Sequence, residues 1–72
     1  MNMQETEEMV REKAWNLCKE YDAQGRRRSK VRLTNFVTIA LERMFSAEIE
    51  NDFRGEWQNE VEMFCKKYHY AE

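Results

Sequence analysis

Leu33–Glu50 reads LTNFVTIALERMFSAEIE, and from Phe36 to Ile49 nine of fourteen residues are hydrophobic: Phe36, Val37, Ile39, Ala40, Leu41, Met44, Phe45, Ala47 and Ile49. At 100° per residue these leave only a narrow polar strip, centred on Asn35, Glu42 and Ser46. A helix that is apolar on nearly every side is buried on more than one side. The spacing therefore predicts a helix over 33–50 at the centre of the fold, with Ser29 or Thr34 as its N-cap. Flanking helices can cover part of its girth and a second copy of the chain the rest.

Working outward, Val10, Ala14, Leu17, Cys18 and Tyr21 fall at i, i+4, i+7, i+8 and i+11, one stripe of an α-helix. Asn2 and Glu5 have the spacing of a capping box, and Gly25 supplies a residue that tolerates the left-handed conformation at a helix end. On the other side, Asn51–Gly55 reads as a break. Phe53, Trp57, Val61, Phe64 and Tyr68 then repeat at helical spacing, with Glu56 early and Lys66 and Lys67 late, as the helix dipole favours. The expected architecture is all-α: one domain over 1–72, with three helices at about 3–23, 33–50 and 55–70.

At 72 residues the chain has room for one small core, and with two Cys and no Pro it is neither a disulfide scaffold nor a Pro-rich disordered segment. A core this small must pack tightly or be shared, so a homodimer built on the second helix is expected. Cys18 and Cys65 each lie on a helix face and read as small core hydrophobes in a reducing compartment. The opening MNMQETEEMV is acidic and polar, unlike a signal or transit peptide, and no apolar run is long enough for a membrane span. A cytoplasmic protein with no membrane contact is the expectation.

The strongest anomaly is Arg26-Arg27-Arg28-Ser29-Lys30-Val31-Arg32, which holds five of the twelve Lys and Arg and no acid. The rest of the chain carries seven bases against fourteen acids, so an acidic body bears one cationic band. The band lies at the N-terminal end of the second helix, where the dipole already presents positive charge, and it calls for an anion. Arg26, Arg27, Arg28, Lys30 and Arg32 are thus the candidate phosphate contacts to DNA or RNA. The overall pI of 5.5 is well below that of a broadly basic binding domain.

Lys30–Thr34 alternates polar and apolar residues, which is strand period, although helix or coil is the preferred reading. As a strand followed by two helices, residues 30–70 resemble the ribbon-helix-helix repressors. That resemblance implies paired strands in the major groove, with Lys30, Arg32 and Thr34 toward DNA and Val31 and Leu33 inward.

Other chemistry has weaker support. Gly25 and Gly55 are isolated, so there is no Gly-rich phosphate loop, and one His cannot complete a catalytic triad with any compelling partner set. Glu62, Cys65 and His69 share a helix face, but a structural zinc site needs four ligands at paired spacings. No enzyme activity, metal or other cofactor is therefore expected. The alternative function is a protein-binding adaptor or inhibitor, as small phage and mobile-element proteins often are. It would use the acidic residues Glu5, Glu7, Glu8 and Glu12, with Trp15 and Tyr70, both off the main stripes, as aromatic anchors.

Overall fold

In the computed structural model, which describes residues 2–72, Asn2 closes the start of α1 (Met3–Ala23). Its side-chain oxygen accepts from the Glu5 N–H at 2.8 Å, and its amide donates to the Glu5 carboxylate at 3.0 Å. The first bond is the N-cap half of the capping box that the sequence spacing implied; the second joins the two side chains and does not run to the Asn2 backbone N–H. At the other end Gly25 takes φ +69°, turning the chain where a side chain would be strained.

Ser29 caps α2 (Lys30–Met44), its hydroxyl accepting from the Arg32 N–H at 3.4 Å. Residues 30–34 are the first turns of this helix and not a strand, so the strand of the ribbon-helix-helix alternative is absent. Leu33 continues the stripe of Val37 and Leu41 into the core, and the Thr34 hydroxyl donates to the Lys30 carbonyl at 2.7 Å. The only strand-like pairing among the described residues is an isolated parallel bridge between Ser29 and Ala71.

The predicted helix over 33–50 is in fact two helices, making four in the described chain where three were expected. Phe45 leaves helical geometry, at φ −114° and ψ −87°. Ser46, in extended conformation, then caps α3 (Ala47–Asp52) by accepting from the Ile49 N–H at 3.1 Å. Phe53 links α3 to α4 (Arg54–Lys67). The near-continuous apolar girth is therefore two stripes on two axes, and the bend turns Phe45 and Ile49 back onto the core.

That core runs from Val10, Ala14, Leu17, Cys18 and Tyr21 on α1, through Leu33, Val37 and Leu41 on α2, to Trp57, Val61, Phe64 and Cys65 on α4. The accessible surface is 4867 Å², close to the roughly 4,800 Å² that size scaling gives for a folded chain of this mass. One chain thus closes its own core. What α2 leaves outside is three large apolar side chains: Val31, Ile39 and Met44 are 62%, 49% and 51% exposed. Both thiols are free and buried, and desolvation pushes Cys18 up to about 12 and raises Cys65 as well, so both behave as core hydrophobes. No described helix is long and apolar enough to cross a membrane.

One charge is buried in this core. Glu50 is 1% exposed, and its two carboxylate oxygens each accept from the Arg54 guanidinium at 2.8 Å. The Trp57 indole N–H donates both to the Glu50 carbonyl at 3.1 Å and to its carboxylate at 3.3 Å. The Arg54 hydrogen bonds hold the Glu50 carboxyl below its ordinary value, against the opposing effect of burial. Because the folded state binds that proton less readily than the unfolded chain, this stabilisation is complete above the ordinary carboxylate range, about 4. It is lost as the pH falls through the lower, folded-state value. Thermal melts should show the midpoint falling from pH 6 to pH 3 by less in Glu50→Gln than in the parent, after subtracting the variant's loss at pH 6. Parallel curves would mean that Glu50 is not the acid-sensitive group.

Candidate functional site

The cationic band does not behave as one unit. Arg28 reaches back to α1, where its Nε and Nη2 donate to the two oxygens of Asp22 at 3.1 and 3.4 Å. Tyr70 donates its hydroxyl to the same carboxylate at 2.7 Å, and this bond, with Arg28 adding to it, holds Asp22 below its ordinary value. Lys30 is paired with Glu62 of α4 and, at 3.4 Å, with Glu72. Two of the five predicted phosphate contacts are therefore already engaged by carboxylates of the same chain.

The helix start is largely engaged too. After α4 the chain turns at His69, φ +59°, and Ala71 lies alongside residues 28–30. The Lys30 N–H donates to the Ala71 carbonyl at 2.7 Å, and the Ala71 N–H donates to the Arg28 carbonyl at 2.9 Å. With the Arg32 N–H on Ser29, two of the first three N–H groups of α2 already have partners and are not free for a phosphate.

The remaining arginines point elsewhere. Arg26, Arg27 and Arg32 are exposed, and none forms an ion pair among the described residues. Arg26 lays its guanidinium over the Tyr21 ring, 4.7 Å from the centroid, and within 5.5 Å of the Phe36 centroid. Arg26 and Arg32 line one shallow groove of about 400 Å³, together with Asn35, Phe36, Ile39, Ala40 and a residue the sequence reading missed, Arg43. No lining residue is acidic. Arg43 stands alone in the sequence, but it is eleven residues after Arg32, three helical turns, and so on the same face. That spacing was the available signal.

The predicted partner-binding residues are scattered. Glu5 serves the Asn2 cap, and Glu7 pairs with Arg11 at 3.0 Å. Glu8 and Glu12 are exposed without an ion pair among the described residues. Trp15 is half-buried, edge-on to Phe64 with centroids 5.2 Å apart. Tyr70 is 9% exposed, packed on Phe64 and Tyr21, because the tail folds back onto the body. Neither aromatic stands out as an exposed anchor. Among the described residues no three His, Cys, Asp or Glu side chains converge as metal ligands.

The site is thus a groove with three arginines and an apolar wall on the flank of a small all-α domain. The chain matches no protein-family model, no curated protein and no solved structure.

Proposed function

We propose that this is a small non-catalytic regulatory protein that binds nucleic acid, with Arg26, Arg27, Arg32 and Arg43 as phosphate contacts and Arg28 and Lys30 as structural cations. The observation that carries this reading is the convergence of three unpaired arginines from two parts of the chain on one acid-free groove. On a body whose other charges sum to a negative value, such a site concentrates anions locally and repels them elsewhere. Arginine forks suit phosphate oxygens. The two free, buried thiols fit a reducing compartment such as the cytoplasm.

Fluorescence-anisotropy titration with random DNA and RNA oligonucleotides tests the reading. Four neutralised phosphates should weaken binding roughly 50- to 150-fold between 50 and 200 mM salt. The double substitution Arg32→Glu/Arg43→Glu should reduce both the affinity and the salt slope. Binding that ignores salt, or that survives the double charge reversal, refutes it.

Two other uses of the surface have a specific observation behind them. No described residue before Val10 is buried, so the acidic first turns of α1 stand clear of the core and could meet a basic partner protein. Loss of partner on Glu8→Lys/Glu12→Lys, with nucleic-acid affinity unchanged, would identify that role. The exposed Val31, Ile39 and Met44 are what a second copy would cover on α2. Light scattering at rising concentration distinguishes a dimer from a constant monomer mass.

A further inference from the structure

The groove is not only cationic. Phe36 and Ala40 are half-buried and Ile39 half-exposed, so together they offer an apolar wall between Arg32 and Arg43. Successive members of this face, Arg32, Phe36, Ile39 and Arg43, fall at i, i+4, i+7 and i+11, so cation, apolar pair and cation follow one another along about 16 Å of helix. Arg26 holds its guanidinium carbon 4.7 Å from the Tyr21 ring centroid and 5.5 Å from that of Phe36, beside this wall. Asn35, whose amide both donates and accepts, is the one uncharged polar side chain in the lining.

We propose that the groove takes single-stranded nucleic acid, with one unpaired base against Phe36, Ile39 and Ala40 and the flanking phosphates on Arg32 and Arg43. This rests on the nucleic-acid reading above and specifies its substrate class. Duplex phosphates would meet the arginines but gain nothing from an apolar wall, since the base faces of a duplex are already stacked. An unpaired base has a free apolar face, and aromatic side chains and arginine planes are the surfaces on which such bases stack. The Asn35 amide can hydrogen-bond a base edge and adds at most a modest base preference.

Three labelled probes of equal length separate the possibilities when titrated with the full chain at one low salt concentration: oligothymidylate, an abasic deoxyribose-phosphate strand, and a blunt duplex. Oligothymidylate should bind more tightly than the abasic strand by roughly 5- to 150-fold, the range expected for one stacked base, and more tightly than the duplex. Ile39→Ser, at a half-exposed position outside the core and checked for fold by circular dichroism, should shrink the advantage over the abasic strand. Arg43→Gln should weaken both single strands alike. Equal, salt-sensitive binding of the oligothymidylate and abasic strands overturns the base contact while leaving nucleic-acid binding intact. A preference for duplex overturns the single-strand assignment. Failure of all three probes and of a random RNA oligonucleotide to bind removes the nucleic-acid reading itself.

Discussion

Trp57→Ala should cost about 3–5 kcal/mol of folding free energy, the range for deleting a large buried aromatic side chain. For a domain of this size, whose whole stability is on the order of 4–11 kcal/mol, that is a large fraction of the total. A thermal melt followed by far-ultraviolet circular dichroism should show the midpoint lowered by roughly 12 °C or more. The residue is fully buried among the core side chains, and truncation leaves a cavity that the neighbouring helices can only partly fill. It also removes the indole donor shared by the carbonyl and carboxylate of Glu50. Trp57→Phe helps to separate the two effects, because it keeps an aromatic ring at the site while losing the N–H and the rest of the second ring. Its cost should be smaller, about 1–3 kcal/mol, as for a buried acceptor left short of a donor. If Trp57→Phe were as damaging as Trp57→Ala, the Glu50 hydrogen bonds and not the packing would dominate at the α3–α4 junction.

Most of the core was readable because it depends on local periodicity. The α1 stripe from Val10 to Tyr21 is buried residue for residue, as are Phe53, Trp57, Val61 and Phe64 around α4. The caps at Asn2 and Ser29 follow from side chains that bond backbone three residues ahead. The bend at Phe45–Ser46 was not readable from hydrophobicity, because apolar residues continue across it. Ser46 looked like part of a polar strip, whereas a serine followed by Glu48 and Glu50 is also the pattern of a capped helix start with acids in its first turn. Burial of Glu50 depends on tertiary placement; only the i+4 and i+7 spacings of Arg54 and Trp57 hinted at it.

The site divides along the same line. A run of basic residues is visible in one dimension, but which of them are free is decided by partners far away in sequence. Lys30 is engaged by Glu62 and Glu72, and Arg28 shares the Asp22 carboxylate with Tyr70, contacts that no local pattern carries. Arg43 shows the converse. It is isolated in the sequence and joins Arg26 and Arg32 only because α2 is straight enough to bring one face to one groove.

Tyr70→Ala should be the second most damaging change, at about 3–5 kcal/mol, because it deletes a buried ring that packs on Phe64 and Tyr21 and the hydroxyl that donates to Asp22. Tyr70→Phe keeps the ring and should cost about 1 kcal/mol for the lost hydrogen bond. Deleting residues 70–72 altogether also breaks the two backbone hydrogen bonds between Ala71 and the Arg28–Lys30 segment. Yet it need not be worse than Tyr70→Ala, because three residues no longer have to be ordered, at about 1–2 kcal/mol each for the backbone. The discriminating measurement is amide hydrogen exchange. The Lys30 N–H has only the tail as its partner, at the first turn of α2, where no helical carbonyl precedes it. In the truncated chain that amide should exchange at the rate of an open loop, while Leu33, bonded to the Ser29 carbonyl, stays protected. If both amides lost protection together, α2 would depend on the tail along its length. If neither did, the tail would be a passive cover over a helix start that holds itself.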